Sequence, residues 1–304
     1  MGKKGFIQIS FTWLFAIIVG AIILFFAIYA SVKLIGTEGS ISSTETGKEI
    51  AVLLNPLETG FGETTTTPLT LPRESRINNN CETFGEFGEQ EISISQQRGS
   101  EWEATGVSSV VNNKYLFSNE RVEGKNFYLF SKPFEFPFKV ADLIFLTSSK
   151  DVYCFADSPQ DIKDELNGLN QGNLLTENCP SNSIDVCFSR ENCEINVNIN
   201  GREVEKKGDL VYFEGDALMY GAIFAEGEIY ECQVKRLMGR VKELSIIYND
   251  KENILLGKGC SAQVNPLVLA DSASNLEDSS DLYLVNAVAD DIEDENKRAE
   301  CGLW

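Results

Sequence analysis

Residues 2–33 read GKKGFIQISFTWLFAIIVGAIILFFAIYASVK, and their reading decides how the rest of the chain is understood. No charged side chain occurs from Gly5 to Val32. A bilayer core about 30 Å thick needs roughly 20 apolar residues, and Phe11 to Ala30 supplies them. Trp13 and Tyr29 stand near the two ends, where amphipathic rings favour the interface. Lys3 and Lys4 precede the run, so the positive-inside tendency places the N-terminus in the cytoplasm and the residues after the helix outside. Residues 6–35 are then expected to contact membrane lipid. The run is longer than the apolar core of a removed secretion signal, typically about 7–15 residues, and no A-x-A cleavage site follows it. Phe6 occupies the position where N-myristoylation requires Ser or Thr.

Composition narrows the function classes. The chain has 304 residues, 26 basic and 46 acidic, and no histidine. Three of the basic residues (Lys3, Lys4, Lys33) and none of the acidic ones lie before residue 36, which leaves 23 basic against 46 acidic residues beyond it. Such a surface repels nucleic acid, so no nucleic-acid partner is expected. It fits an exterior domain kept soluble by charge, or one that meets cations or a cationic partner. The missing histidine removes the commonest general base and metal ligand, together with Ser-His-Asp and Cys-His chemistry. Hydrophobic residues make up 43% of the chain, enough for a folded core.

The residues Lys3-Lys4-Gly5-Phe6, followed at once by the apolar run, resemble a class III (prepilin-type) signal. Gln8-Ile9-Ser10 resembles the Q-x-S start of archaeal type IV pilin-like proteins. The resemblance covers about the first 30 residues. It implies cleavage ahead of the apolar helix, with Lys4, Gly5, Phe6 and Gln8 as the processing candidates, and pilin-like subunits as partners. The glutamate that pilins carry at mature position five has no counterpart: counting from Phe6 gives Ser10, and from Gln8 gives Thr12. That departure argues against a main fibre subunit and leaves a minor or tip-like one open. A permanent, uncleaved signal anchor is the other open reading.

The remaining chain reads as α+β. The expected organisation is a cytoplasmic N-terminus and transmembrane helix (1–36), a stalk helix (37–60), a β-rich α+β ectodomain (61–215) and a C-terminal helical region (216–304). The stretches TTTTPLTLP, SRINNNC, EQEISISQQ, NKYLFS, NFYLFSKPFEF and ADLIFLTS read as short strands rich in Thr, Ile, Phe and Tyr. The phenylalanines of KNFYLFSKPFEFPFKV are expected to fill the core. VYCFAD, SPQDIKDELNGL and IDVCFS form a strand-helix-strand pattern with Ser158 as N-cap, and CEINVNING, REVEKK and DLVYFEGD follow as a meander. In YECQVKRLMGRVKELSIIY, Val234, Leu237, Val241, Leu244 and Tyr248 make a helical seam. A second helix near 281–300 carries the acidic run DDIEDE. The two helices are expected to pair antiparallel, with the basic face of the first (Lys235, Arg236, Arg240, Lys242) complementing the acids of the second.

Eight cysteines, all after the apolar run, fit disulfides in an oxidising exterior. Cys187 and Cys193 are placed to staple a hairpin. Cys232 and Cys301 meet if the two helices are antiparallel. Cys81, Cys154, Cys179 and Cys260 then have three connectivities. The segment DSASNLEDSSD (271–281) reads as an acidic loop. No phosphate-binding loop, nucleophile elbow or C-x-x-C occurs, so no catalytic residue, cofactor or metal site is expected. The expected function is that of a membrane-anchored cell-surface structural or interaction protein. It would be self-associating or a minor pilin-like subunit, or alternatively an anchored ligand-binding or sensor ectodomain.

Overall fold

The computed structural model describes residues 13–31, 65–103, 105, 108–111, 113–188 and 193–304. The expected stalk helix and the processing candidates Lys4, Gly5, Phe6 and Gln8 lie outside the described residues. Helix α1 (Trp13–Ser31) has 19 residues and is long and apolar enough to serve as a membrane anchor or a signal sequence. Its serine is satisfied within the helix: Ser31 Oγ donates to the Ala27 carbonyl at 2.8 Å.

The first sheet contains β1 (Thr65–Glu82), β2 (Glu89–Arg98), β3 (Glu101–Trp102), β4 (Ser109–Val111), β5 (Tyr115–Phe117), β6 (Arg121–Glu135) and β7 (Lys139–Ser148). Its order is β3-β2-β1-β6-β7-β5, with β4 also paired to β2. TTTTPLTLP and SRINNNC, read from the sequence as two strands, are one strand whose register against β6 shifts between Thr70 and Ser75. β7 is buried from Val140 to Ser148 because both of its faces are covered, which is why its sequence is nearly continuously apolar. One face packs in the main core. On the other face the sheet curls over, and Ile77, Ile92, Ile94, Leu116, Phe127 and Ile144 form a second apolar cluster.

The second sheet is built from β8 (Tyr153–Ala156), β9 (Leu174–Leu175), β10 (Ile184–Cys187), β11 (Ile195–Asn198), β12 (Glu203–Lys206) and β13 (Asp209–Tyr212), in the order β13-β12-β11-β10-β8-β9. Helix α2 (Gln160–Leu169) follows β8, and β10 pairs parallel with β8, as the strand-helix-strand pattern requires. Ser158 does not cap α2. Its hydroxyl donates to the Phe155 carbonyl, and Pro159 holds the N-cap position. β11, β12 and β13 form the antiparallel meander.

Helix α3 (Gly215–Phe224) is buried at every position from Ala217 to Phe224. It packs on β5, β6 and β7 of one sheet and on β12 of the other, so an amphipathic pattern would have left polar groups inside. Phe224 joins the layers: its ring lies 5.7 Å from Phe130 in the first sheet and 5.1 Å from Tyr153 in the second, edge-on to both. Such contacts add about 0.5–1.5 kcal/mol each beyond area burial. Phe127, Phe130, Phe134, Phe136 and Phe138 are all at most 3% exposed, so the aromatic run is core as expected.

The C-terminal helices are α4 (Gly227–Gly257), α5 (Pro266–Ser274) and α6 (Leu282–Arg298). Asp271 to Ser274 of the segment read as an acidic loop belong to α5, and Ser279–Asp281 forms a 3-10 turn capped by the Asp278 carboxylate. The expected antiparallel pairing of the helices now labelled α4 and α6 is corrected. Ser279, just before α6, hydrogen-bonds through Oγ and N to the Glu231 carboxylate in the first part of α4. At the opposite end, the Lys251 ammonium reaches the Leu303 carbonyl, and Tyr248 packs 5.2 Å from Trp304. Like ends therefore meet, and α5, packed on both, is the segment that runs back. The expected charge complementarity fails for the same reason, because Arg236 and Arg240 of α4 point at the first sheet.

The disulfides follow this arrangement: Cys81–Cys232, Cys154–Cys179, Cys187–Cys193 and Cys260–Cys301. The Cys187–Cys193 pairing stands as read, but it staples no hairpin, because β10 and β11 on either side of it run parallel. The Cys232–Cys301 pairing does not stand: the N-terminal part of α4 lies on the first sheet and brings Cys232 to the end of β1. The C-terminal ends of α4 and α6 bring Cys260 to Cys301.

Candidate functional site

Three polar constellations stand out among the described residues. The first is buried where the curled sheet closes against α4. Asn79 donates to the Leu116 carbonyl (3.2 Å) and to Ser118 Oγ (2.9 Å), and Gln90 hydrogen-bonds to Asn79 and to Gln233. Arg236, 2% exposed, donates through Nε to the Phe87 carbonyl (3.1 Å) and through Nη1 to the Lys114 carbonyl and Gln233 Oε1 (both 2.9 Å). Its guanidinium carbon lies 5.0 Å from the centre of the Tyr115 ring, which faces the cation where no acceptor reaches Nη2. Burial pushes the Arg236 pKa below its usual value and the Tyr115 pKa above it. Gly88 makes room for the arginine stem: at φ +59°, a Cβ there would stand 2.8 Å from Arg236 Cγ. This network is enclosed, and its work is to lock sheet to helix.

The second constellation joins β6, α2 and α3. Lys132 Nζ lies 2.5 Å from Glu165 Oε1, and the Tyr220 hydroxyl donates to Glu165 Oε2 at 3.0 Å. Burial, and then the neighbouring Glu165 carboxylate, hold the Tyr220 hydroxyl protonated well above its ordinary range. It is a tie between layers.

The third is open. A cavity of about 770 Å³ lies where the second sheet meets the β5–β6 turn of the first. Its floor comes from the starts of β8, β10 and β11, with Tyr153, Ile184 and Ile195. Its walls carry Asn119, Glu194, Asn196, Glu205, Lys206 and Lys207. The two-residue connection from β12 to β13 fixes one wall. Lys207 and Gly208 both have positive φ (54° and 91°), the type I′ geometry that matches the twist of a hairpin. Lys206 Nζ donates to the Ile223 and Ala225 carbonyls at 3.0 and 2.7 Å, satisfying the C-terminal end of α3. Burial, followed by the neighbouring Lys207 charge, pushes the Lys206 pKa down to about 8. Burial raises the Tyr153 hydroxyl and, nearby, the Asp151 carboxyl. The volume is of the size that holds small ligands, roughly 300–1,000 Å³.

Of the residues singled out from the sequence, the structure brings one to this cavity: Cys193, whose disulfide with Cys187 stands beside it. The other cysteines act as cross-links elsewhere, and all eight are paired, so no thiol is available as a nucleophile. Sequence reasoning missed Asn119, Lys206 and Lys207. The only signal was a pair of lysines before glycine in an otherwise acidic domain. No protein-family model matches the chain, and no curated protein and no solved structure matches it.

Proposed function

We propose that this chain is a membrane-anchored interaction protein of the cell surface whose disulfide-held ectodomain binds a small ligand in the cavity between its sheets. The carrying observation is that cavity: about 770 Å³, of mixed polarity, with charged and amide side chains among its walls. The anchor would be α1, with the N-terminus cytoplasmic and the ectodomain outside, in keeping with four disulfides and no free thiol. Binding is the reading proposed; the chain has no histidine and no free thiol. A minor pilin-like subunit is the second reading, favoured by Lys4-Gly5-Phe6 ahead of an apolar helix whose most apolar stretch is unburied by the rest of the chain. The mature N-terminus of protein from its own membranes, read by intact mass and peptide mapping, separates the two. A start at Met1 or Gly2 means a permanent anchor, and a start at Phe6 or Gln8 means pilin-like processing. Protease added to intact cells should digest the ectodomain; complete protection would sink the surface location.

A further inference from the structure

We infer that the cavity takes a small zwitterion, a free amino acid or a short peptide with unblocked ends; this rests on reading the cavity as a ligand site. The inference follows from which wall groups are already committed. Lys206 is held by the Ile223 and Ala225 carbonyls, and Glu194 Oε2 accepts from the Asp185 amide at 3.1 Å. Two charged groups remain among the described residues. The Lys207 ammonium and the Glu205 carboxylate, both exposed, make no hydrogen bond or ion pair with any described residue, although Asp151 lies close enough to feel the Lys207 charge.

Among the described residues, one uncommitted cation and one uncommitted anion define a complement. A singly charged ligand of either sign would satisfy one of the two charges and meet repulsion from the other. A neutral ligand would desolvate both without pairing either. A zwitterion pairs its carboxylate with Lys207 and its ammonium with Glu205. The volume accommodates more than a single small amino acid, so a peptide of two or three residues fits the same chemistry.

The test uses the full chain in phosphatidylcholine nanodiscs and saturation-transfer NMR. The probes are the common amino acids and alanine di- and tripeptides, the peptides in free-ended, N-acetylated and C-amidated forms. A mixture of neutral fragments is run alongside. Free-ended compounds should bind, and blocking either end should weaken binding about tenfold. Lys207→Asn keeps a residue tolerant of the positive φ there and should abolish the penalty for C-amidation alone. Glu205→Gln should abolish the penalty for N-acetylation alone. Equal binding of blocked and free forms overturns the zwitterion assignment. Ile184→Trp, which fills the cavity, separates the two levels. Fragments that bind the parent chain but not this variant, with no zwitterion bound, leave the cavity as a ligand site and remove the ligand class. If no compound binds in a manner sensitive to Ile184→Trp, both readings fall.

Discussion

Removing the Cys81–Cys232 bond should destabilise the ectodomain more than removing any other disulfide. The bond closes a loop with a sequence separation of 151, against 41 for Cys260–Cys301, 25 for Cys154–Cys179 and 6 for Cys187–Cys193. Loop-closure entropy in the unfolded chain then gives about 5, 4, 3.5 and 2 kcal/mol in that order. Two of the smaller loops lie inside the largest and shorten it, but the dependence is logarithmic and lowers its value by only about 0.2 kcal/mol. Against a total stability of about 5–15 kcal/mol, the double variant Cys81→Ala/Cys232→Ala loses a third or more of the margin. The assay is urea unfolding of the full chain in nanodiscs, followed by circular dichroism, for each of the four paired-alanine variants. The expected order of midpoints puts the Cys81/Cys232 variant lowest and the Cys187/Cys193 variant nearest the parent. If the Cys187/Cys193 variant loses as much as the Cys81/Cys232 variant, unfolded-chain entropy is not what these bonds contribute. A non-reduced peptide map tests the underlying geometry: a peptide linking Cys232 to Cys301 would refute the observed course of α4 and α6.

Arg236→Ala should cost about 3–5 kcal/mol in the same unfolding assay, because it strands the Phe87 and Lys114 carbonyls and the buried Gln233 amide oxygen. Gly221→Ala should cost about 1–3 kcal/mol, since its Cβ would stand 2.7 Å from the ring of Phe117, which is 0% exposed and has nowhere to go. Lys206 gives a pH signature. Its folded pKa of about 8 lies below that of an unfolded lysine, so the unfolded state holds more protons between those values. Stability should therefore rise with pH above about 8, by about 2 kcal/mol up to pH 10, relative to Lys206→Met, whose curve should lack that rise.

How far the sequence could be read depended on whether a residue's fate was local. The apolar run at 13–31 and the strand-helix-strand around Ser158 were legible because length and periodicity are properties of a segment. The Cys187–Cys193 staple was legible because its two residues are six apart. Cys81–Cys232 was not, because the sequence shows no reason for the start of α4 to lie over β1. The antiparallel helix pair failed on a related omission. α5 is nine residues long, and its sequence PLVLADSAS has no strong apolar stripe, so the connecting segment looked like a loop. Without α5, two helices in sequence must be antiparallel; with it, the first and third are parallel. Arg236 was read as part of a basic face turned toward the acids of the last helix, because its neighbours Lys235, Arg240 and Lys242 are charged as well. What buries it is a row of backbone carbonyls at the closure of a curled sheet, which no local pattern announces. The cavity was illegible for the same reason: Asn119 and Lys207 line one space only because the two sheets join there.

The distribution of cross-links bears on how such a cavity keeps its shape. The first sheet has strands of up to 18 residues and needs little help; its one disulfide ties the end of β1 to α4. The strands that floor the cavity, β8, β10 and β11, have four residues each, too few for a sheet to hold by pairing alone. Two disulfides fall there. Cys154 of β8 is tied to Cys179 in the segment leading to β10, and Cys187 at the end of β10 is tied to Cys193 beside β11. Both staples act between consecutive parallel strands, where a two-residue turn is impossible and the connection would otherwise be the loosest part of the sheet. On the far side, Lys206 fastens β12 to the end of α3. A wall held on both sides in this way is ordered before any ligand arrives, so binding does not bear the entropy of ordering it. A merely structural sheet has less use for that arrangement than a binding site does, and this asymmetry favours the recognition reading over a purely architectural one.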